Sequence, residues 1–131
     1  MRIAQIAPIW ERVPPPGYGG TEAVVAALTD ALVARGHEVV LFASGDSRTS
    51  AVLRSIYPES MRTATTLENL RDKLAYETLH AAVAIAEAGN FDIVHNHAGE
   101  SVAAMAIAAN AAPVLSTFHC LITRHTLPIW Q

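Results

Sequence analysis

The sequence predicts an α/β fold in which a parallel β-sheet is covered by helices on both faces. Short apolar runs alternate along the chain with longer runs of helical spacing, which is the order of βα units. The short runs are hydrophobic at consecutive positions, as strands buried on both faces are. Of the 131 residues, 51% are hydrophobic, which is enough for one domain with its own core.

Five short apolar segments are the predicted strands. The third has an ambiguous pattern and is assigned as a short strand that ends at Pro58. The predicted strands are Ile3–Ala7, Val39–Ala43, Ala51–Tyr57, Phe91–His95 and Pro113–Phe118.

Three helices are predicted between these strands. We expect Thr21 to cap the first helix, over 23–35, with Glu22 in its first turn and Gly36 at its end. The other two are expected over 67–88 and 100–110. This order of strands and helices is typical of a Rossmann-like domain.

The composition argues against several classes of protein. The net charge is −3 and the Lys and Arg residues are scattered, which disfavours nucleic-acid binding. Cys120 is the single cysteine; it suits a reducing compartment, and we expect it to be a small buried or half-buried residue. The most apolar stretch, 102–115, contains Asn110 and Pro113 and falls short of a membrane span. We therefore expect a soluble cytoplasmic protein without a transmembrane segment.

The polar and glycine residues gather in the loops that follow four of the predicted strands. These loops are 9–20, 44–50, 96–100 and the segment from His119 onward. Ligands of parallel sheets bind at the carboxyl ends of the strands, so we expect the binding site at these loops.

Residues 17–22, Gly-Tyr-Gly-Gly-Thr-Glu, form a glycine-rich turn before the first helix. The N–H groups at the start of a helix bind phosphate, although the glycines could also merely let the loop turn. Phosphate binding is favoured because Thr21 is expected to start the helix at once. The dinucleotide fingerprint is absent, since a proline-rich loop separates the glycines from the first strand.

Histidines follow two of the predicted strands. His95 and His97 lie on the same side of the chain and could form a zinc site with His119, Cys120 or His125. However, their spacing matches no metal signature, and we favour one imidazole packing in the domain while the other faces the cleft. His119 could hydrogen-bond a sugar hydroxyl or a phosphate, act as an acid or base, or simply cap the strand end.

Together these segments resemble the N-terminal domain of retaining glycosyltransferases of family 4, which have the GT-B fold. The resemblance covers residues 1 to about 120. The matching segments are Ile3–Pro8, Tyr18–Glu22, Arg35–Val39, Leu41–Ser47, Phe91–His97 and Pro113–His119.

The resemblance implies roles for six residues. His119 would be the catalytic-centre residue beside the donor sugar, Gly19, Gly20 and Thr21 would contact the donor diphosphate, and His97 and Glu100 would lie on the acceptor side. The family transfers sugar with retention of configuration and usually needs no metal. The implied substrates are a nucleotide sugar, such as a UDP- or GDP-sugar, and a small-molecule or glycan acceptor, with no further cofactor.

One departure from the family pattern concerns length. The family's enzymes have a second domain, with an E-x7-E motif, that binds the nucleotide. We therefore expect residues 1–120 to be an incomplete N-terminal domain, followed by a tail over 121–131. The expected consequence is that this chain is inactive alone and needs a second chain or self-association. The alternative is a non-catalytic, self-associating Rossmann-like binding module.

Overall fold

The computed structural model describes residues 1–64, 69–111 and 113–130. They form a fully parallel five-stranded sheet with the strand order β3-β2-β1-β4-β5. The strands are β1 Arg2–Ile6, β2 Glu38–Phe42, β3 Val52–Arg54, β4 Ile93–Asn96 and β5 Val114–Ser116. The predicted α/β fold is confirmed, and each predicted strand corresponds to one observed strand.

Helices cover both faces of the sheet, as predicted. They are α1 Gly20–Ala34, α2 Leu70–Ala86 and α3 Glu100–Ala108, with short 3-10 helices at Ala88–Asn90 and Leu127–Trp130. Helix α1 packs on one face, while α2 and α3 pack together on the other.

Two apolar cores result because successive side chains of a strand point to opposite faces. Ile6, Phe42 and Val94 are buried with the apolar residues of α2 and α3. Leu41 is buried on the other face against Val25 of α1. The same alternation places Gln5, His95 and His97 on the α1 face of the sheet.

The first helix begins earlier than predicted, and the expected capping role of Thr21 is wrong. Gly19 is the N-cap residue, Thr21 lies within the first turn, and no side chain caps this end of the helix. Helix N-termini have backbone N–H groups without a partner inside the helix. The glycine turn therefore leaves such donors free of side-chain caps.

Two further expectations concern the start of α2 and the burial of Cys120. Helix α2 is seen from Leu70, with the Asn69 side chain accepting the N–H of Asp72 at 3.0 Å; the predicted start at residue 67 lies outside the described residues. Cys120 is exposed, so its expected burial is wrong: it follows β5 in a segment whose side chains reach solvent. Within the described ranges, no helix is both long and apolar enough to cross a bilayer.

Candidate functional site

The glycine turn and His119 lie at the same cleft, at the carboxyl end of the sheet. This cleft has a volume of about 360 Å³. We call it the glycine cleft; it is lined by Glu11, Tyr18, Gly19, Gly20, Thr21, Glu22, Arg62 and His119. The residues that the resemblance implies for the diphosphate thus line the same cleft as His119, which it implies for the reaction centre.

A second cleft, of about 240 Å³, opens beside the first. We call it the α3 cleft, because Gly99 and Glu100 at the start of α3 line it together with His97. Thr21 and His119 line both clefts. The two predicted groups of residues are therefore adjacent, and they meet at His119.

Close backbone packing requires glycine at position 19. A Cβ atom there would lie 2.6 Å from Cβ of Pro15 and 3.0 Å from Oε2 of Glu22. The φ angle of 170° is ordinary extended backbone, so space and not strain excludes a side chain. Glu22 itself is 7% exposed, which buries its carboxylate in the first turn of α1. An anion in this cleft would share the positive end of the helix with that carboxylate.

Three imidazoles form a row on the α1 face. The ring centroids of His95 and His97 are 4.0 Å apart, and those of His97 and His119 are 5.2 Å apart. Nδ1 of His97 lies 2.9 Å from Nε2 of His119, and its Nε2 lies 2.9 Å from Oε1 of Gln5. His97 is 4% exposed, so it has little surface with which to contact an acceptor. Its ring instead connects Gln5 in the sheet to His119 at the cleft.

Burial keeps two of these rings neutral. The pKa of His97 is lowered to about 3, mainly by desolvation and to a smaller extent by the neighbouring His95 and His119. Burial likewise lowers the pKa of His95, with a smaller contribution from His119. Nε2 of His95 lies 2.7 Å from Oγ1 of Thr117. At neutral pH both His95 and His97 are therefore uncharged hydrogen-bonding groups.

Asn96 shapes the turn between β4 and α3. Its Nδ2 donates to the carbonyl oxygen of Gly99 at 2.9 Å and to Oγ of Ser116 at 3.2 Å. Its Oδ1 accepts the N–H of Ala98 at 2.8 Å. Gly99 has a φ of 88°, a conformation that glycine adopts without steric cost. This turn positions Glu100 at the mouth of the α3 cleft.

The glycine cleft also contains an ion pair that was not predicted from the sequence. Nε of Arg62 donates to Oε2 of Glu11 at 2.7 Å, and Glu11 is 6% exposed. Backbone bonds from Met61 to Ile9 and from Arg62 to Trp10 hold the same two segments together. The two residues are 51 positions apart in the sequence and lie in two irregular loops. No periodic pattern in the sequence could therefore have predicted this pair.

The zinc site considered from the sequence is not formed by these histidines. Their facing nitrogens bond to one another, to Gln5 and to Thr117. Across residues 1–64, 69–111 and 113–130, no three His, Cys, Asp or Glu side chains are arranged to hold a metal ion.

Comparison with known proteins identifies the family. Residues 18–131 match the sequence model of Glycosyltransferase Family 4. The fold is similar to the crystal structure of AviGT4, a glycosyltransferase involved in avilamycin A biosynthesis, with 27% sequence identity and a TM-score of 0.59. That match covers 91% of this chain and 32% of the AviGT4 chain, so this chain spans about a third of that protein's length. No curated protein matches the sequence of this chain. The family match over most of the chain confirms that the sequence resembles a glycosyltransferase: this chain belongs to Glycosyltransferase Family 4.

Proposed function

We propose that this chain forms the N-terminal part of a GT-B glycosyltransferase that transfers sugar from a nucleotide-sugar donor, with retention of configuration. The observation that carries the proposal is that Gly19, Gly20, Thr21 and His119 line one cleft. Membership of the glycosyltransferase family and the likeness to AviGT4 support the same reaction class.

The donor diphosphate is proposed to bind at the start of α1. The first turn of this helix has no side-chain cap, and its N–H groups carry the positive end of the helix dipole. His119 lies at the same cleft and would contact the donor sugar. A neutral imidazole forms hydrogen bonds to hydroxyl groups as donor or acceptor.

The acceptor is proposed to enter through the α3 cleft. His97 and Glu100 line this cleft, and it shares Thr21 and His119 with the glycine cleft. A donor sugar and an acceptor hydroxyl bound in the two clefts would therefore meet beside His119. This proximity is what a group transfer between two bound molecules needs.

The nucleotide base and ribose are proposed to bind to a second domain. That domain could belong to a longer form of this chain or to a second polypeptide. No cofactor is required in this scheme, because the nucleotide sugar is a substrate. A cytoplasmic location fits the single cysteine, Cys120.

Titration of the isotope-labelled protein with UDP-glucose, GDP-mannose and NAD, followed by NMR, tests the donor assignment. We expect the amide signals of Gly19, Gly20 and Thr21 to shift with a sugar nucleotide and not with uridine, which lacks phosphate. Gly19→Ala should weaken binding at least about tenfold, because its Cβ would collide with Pro15. Gly17→Ala is the matched control, since a Cβ at Gly17 meets nothing within 4 Å. Tighter binding of NAD than of both sugar nucleotides would overturn the assignment.

The chain alone is expected to transfer no sugar, because the nucleotide contacts are proposed to belong to another domain. Sugar transfer by the purified 131-residue protein, without any partner, would contradict this expectation.

A self-associating, non-catalytic module is the second candidate. Leu115, Phe118 and Leu121 are 51%, 44% and 89% exposed beside β5, and in the described part of the chain β5 pairs with β4 alone. An open strand edge beside apolar side chains favours association. This candidate predicts a dimer or larger assembly in light scattering, and a monomer would count against it.

A further inference from the structure

The row of hydrogen bonds from Gln5 to His119 fixes which atoms carry protons. Gln5 is fully buried in β1, the central strand, and its Oε1 lies 2.9 Å from Nε2 of His97. A carboxamide oxygen only accepts hydrogen bonds, so Nε2 of His97 carries the hydrogen. His97 is neutral because it is buried, so its Nδ1 then holds a lone pair.

The lone pair on His97 determines the state of the next ring. Nε2 of His119 lies 2.9 Å from Nδ1 of His97 and must donate to it. The other nitrogen of His119, Nδ1, is then the unprotonated one in the neutral ring. His119 is exposed and lines both clefts, so a ligand in either cleft would meet this ring.

We propose that Gln5 is a positioning residue, which acts through His97 to hold His119 as the Nε2–H tautomer with an accepting Nδ1. The identity of the ligand rests on the proposed function, whereas the directions of the hydrogen bonds do not. A sugar hydroxyl donates a hydrogen bond to such a nitrogen. A phosphate oxygen, which only accepts, would face a lone pair. Gln5 thereby selects the hydroxyl-bearing part of the donor or acceptor for His119.

Among the described residues, this arrangement leaves a buried polar atom without a hydrogen bond, which lowers the stability of the folded protein. Nε2 of Gln5 is buried and makes no hydrogen bond within the described part of the chain. Buried polar atoms normally have partners, and one without a partner costs stability. An apolar residue would avoid that cost in the middle strand of the sheet. In the described part of the chain, the side-chain hydrogen bond of Gln5 is the one that its oxygen accepts from His97.

Long-range ¹H–¹⁵N NMR of the histidine rings tests the proposal on the 131-residue protein, without substrate. At pH 8 we expect both His97 and His119 to carry hydrogen on Nε2 alone. Gln5→Glu with its carboxyl group ionised should keep this pattern, since a carboxylate only accepts. Gln5→Met removes the acceptor and should convert His119 to a mixture of tautomers. Thr29 is another fully buried polar residue, and Thr29→Val is the matched control. It should leave the tautomers of His97 and His119 unchanged.

A hydrogen on Nδ1 of His119 in the unsubstituted protein would overturn the proposal, because it means that Gln5 presents its nitrogen to His97. An unchanged His119 tautomer in folded Gln5→Met would also overturn it. If Gln5→Met does not fold, the unsubstituted protein and Gln5→Glu still decide the direction of the hydrogen bonds. Failure of sugar nucleotides to bind would remove the ligand assignment and leave these ring spectra unaffected, so the two failures are distinguishable.

Discussion

Acidification is expected to destabilise this protein through His80. His80 lies on α2, is 2% exposed, and its Nε2 lies 2.9 Å from the carbonyl oxygen of Ala7. As a neutral ring it donates to that oxygen. Burial lowers the pKa of His80 from 6.5 to about 4, although the hydrogen bond to Ala7 acts in the opposite direction.

The sign and size of the effect follow from this pKa. Between pH 6.5 and about 4 the unfolded chain holds a proton on His80 that the folded protein lacks. The unfolded state then binds more protons, so the free energy of unfolding falls as the pH falls through this window. Each pH unit corresponds to about 1.4 kcal/mol, so acidification to pH 5 should remove roughly 2 kcal/mol through His80 alone. His95 and His97, whose pKa values are also lowered, contribute in the same direction.

Urea unfolding at pH 7.5 and pH 5 measures the effect. His80→Gln replaces the ring with an amide that keeps an N–H donor but does not titrate, so it isolates the contribution of His80. Between the two pH values the variant should lose roughly 2 kcal/mol less than the unsubstituted protein. His125→Gln removes an exposed histidine as a control and should behave like the unsubstituted protein. Equal losses in His80→Gln and the unsubstituted protein would refute the reasoning.

Two further predictions concern stability. Gly45→Ala should cost about 1–3 kcal/mol in urea unfolding, because its Cβ would lie 2.8 Å from backbone atoms of Pro58; Gly17→Ala, in open space, should cost almost nothing. Arg62→Met should cost about 1–2 kcal/mol, because it leaves the buried Glu11 carboxylate without its cation. Adding Glu11→Gln should recover part of that loss, and no recovery in the double variant would show that the charge is not the cause.

The sheet was predictable because its strands are buried on both faces. Consecutive apolar residues, as in Val39–Phe42, distinguish such strands from the helical spacing of α1. The ends were less predictable. Thr21 has the residue type of an N-cap, yet the helix begins one residue before it, at Gly20. Glycine has no side chain to oppose the helical turn, so the helix includes Gly20 and places Thr21 inside its first turn.

The members of the site were predictable, but not their mutual contacts. Gly19 and His119 follow predicted strands and therefore meet at one end of the sheet. The contact of Gln5 with His97 depends on β1 and β4 being neighbours in one register, with Gln5 opposite His95. Strand order is a tertiary property, so a polar residue in a strand pattern gives no sign of its partner.

The central position of β1 has a consequence for how the chain folds. Ile3 pairs with Val39 of β2 on one side and with Ile93 of β4 on the other. The backbone groups on one edge of β1 therefore have no strand partner until about 90 more residues have been synthesised. At the usual rate of translation this takes on the order of 5–20 s. Contacts between such distant residues slow folding, because a long loop must close before they form. Strands β4 and β5 thus complete the environment of β1, and the row from Gln5 to His119 can assemble only at that step.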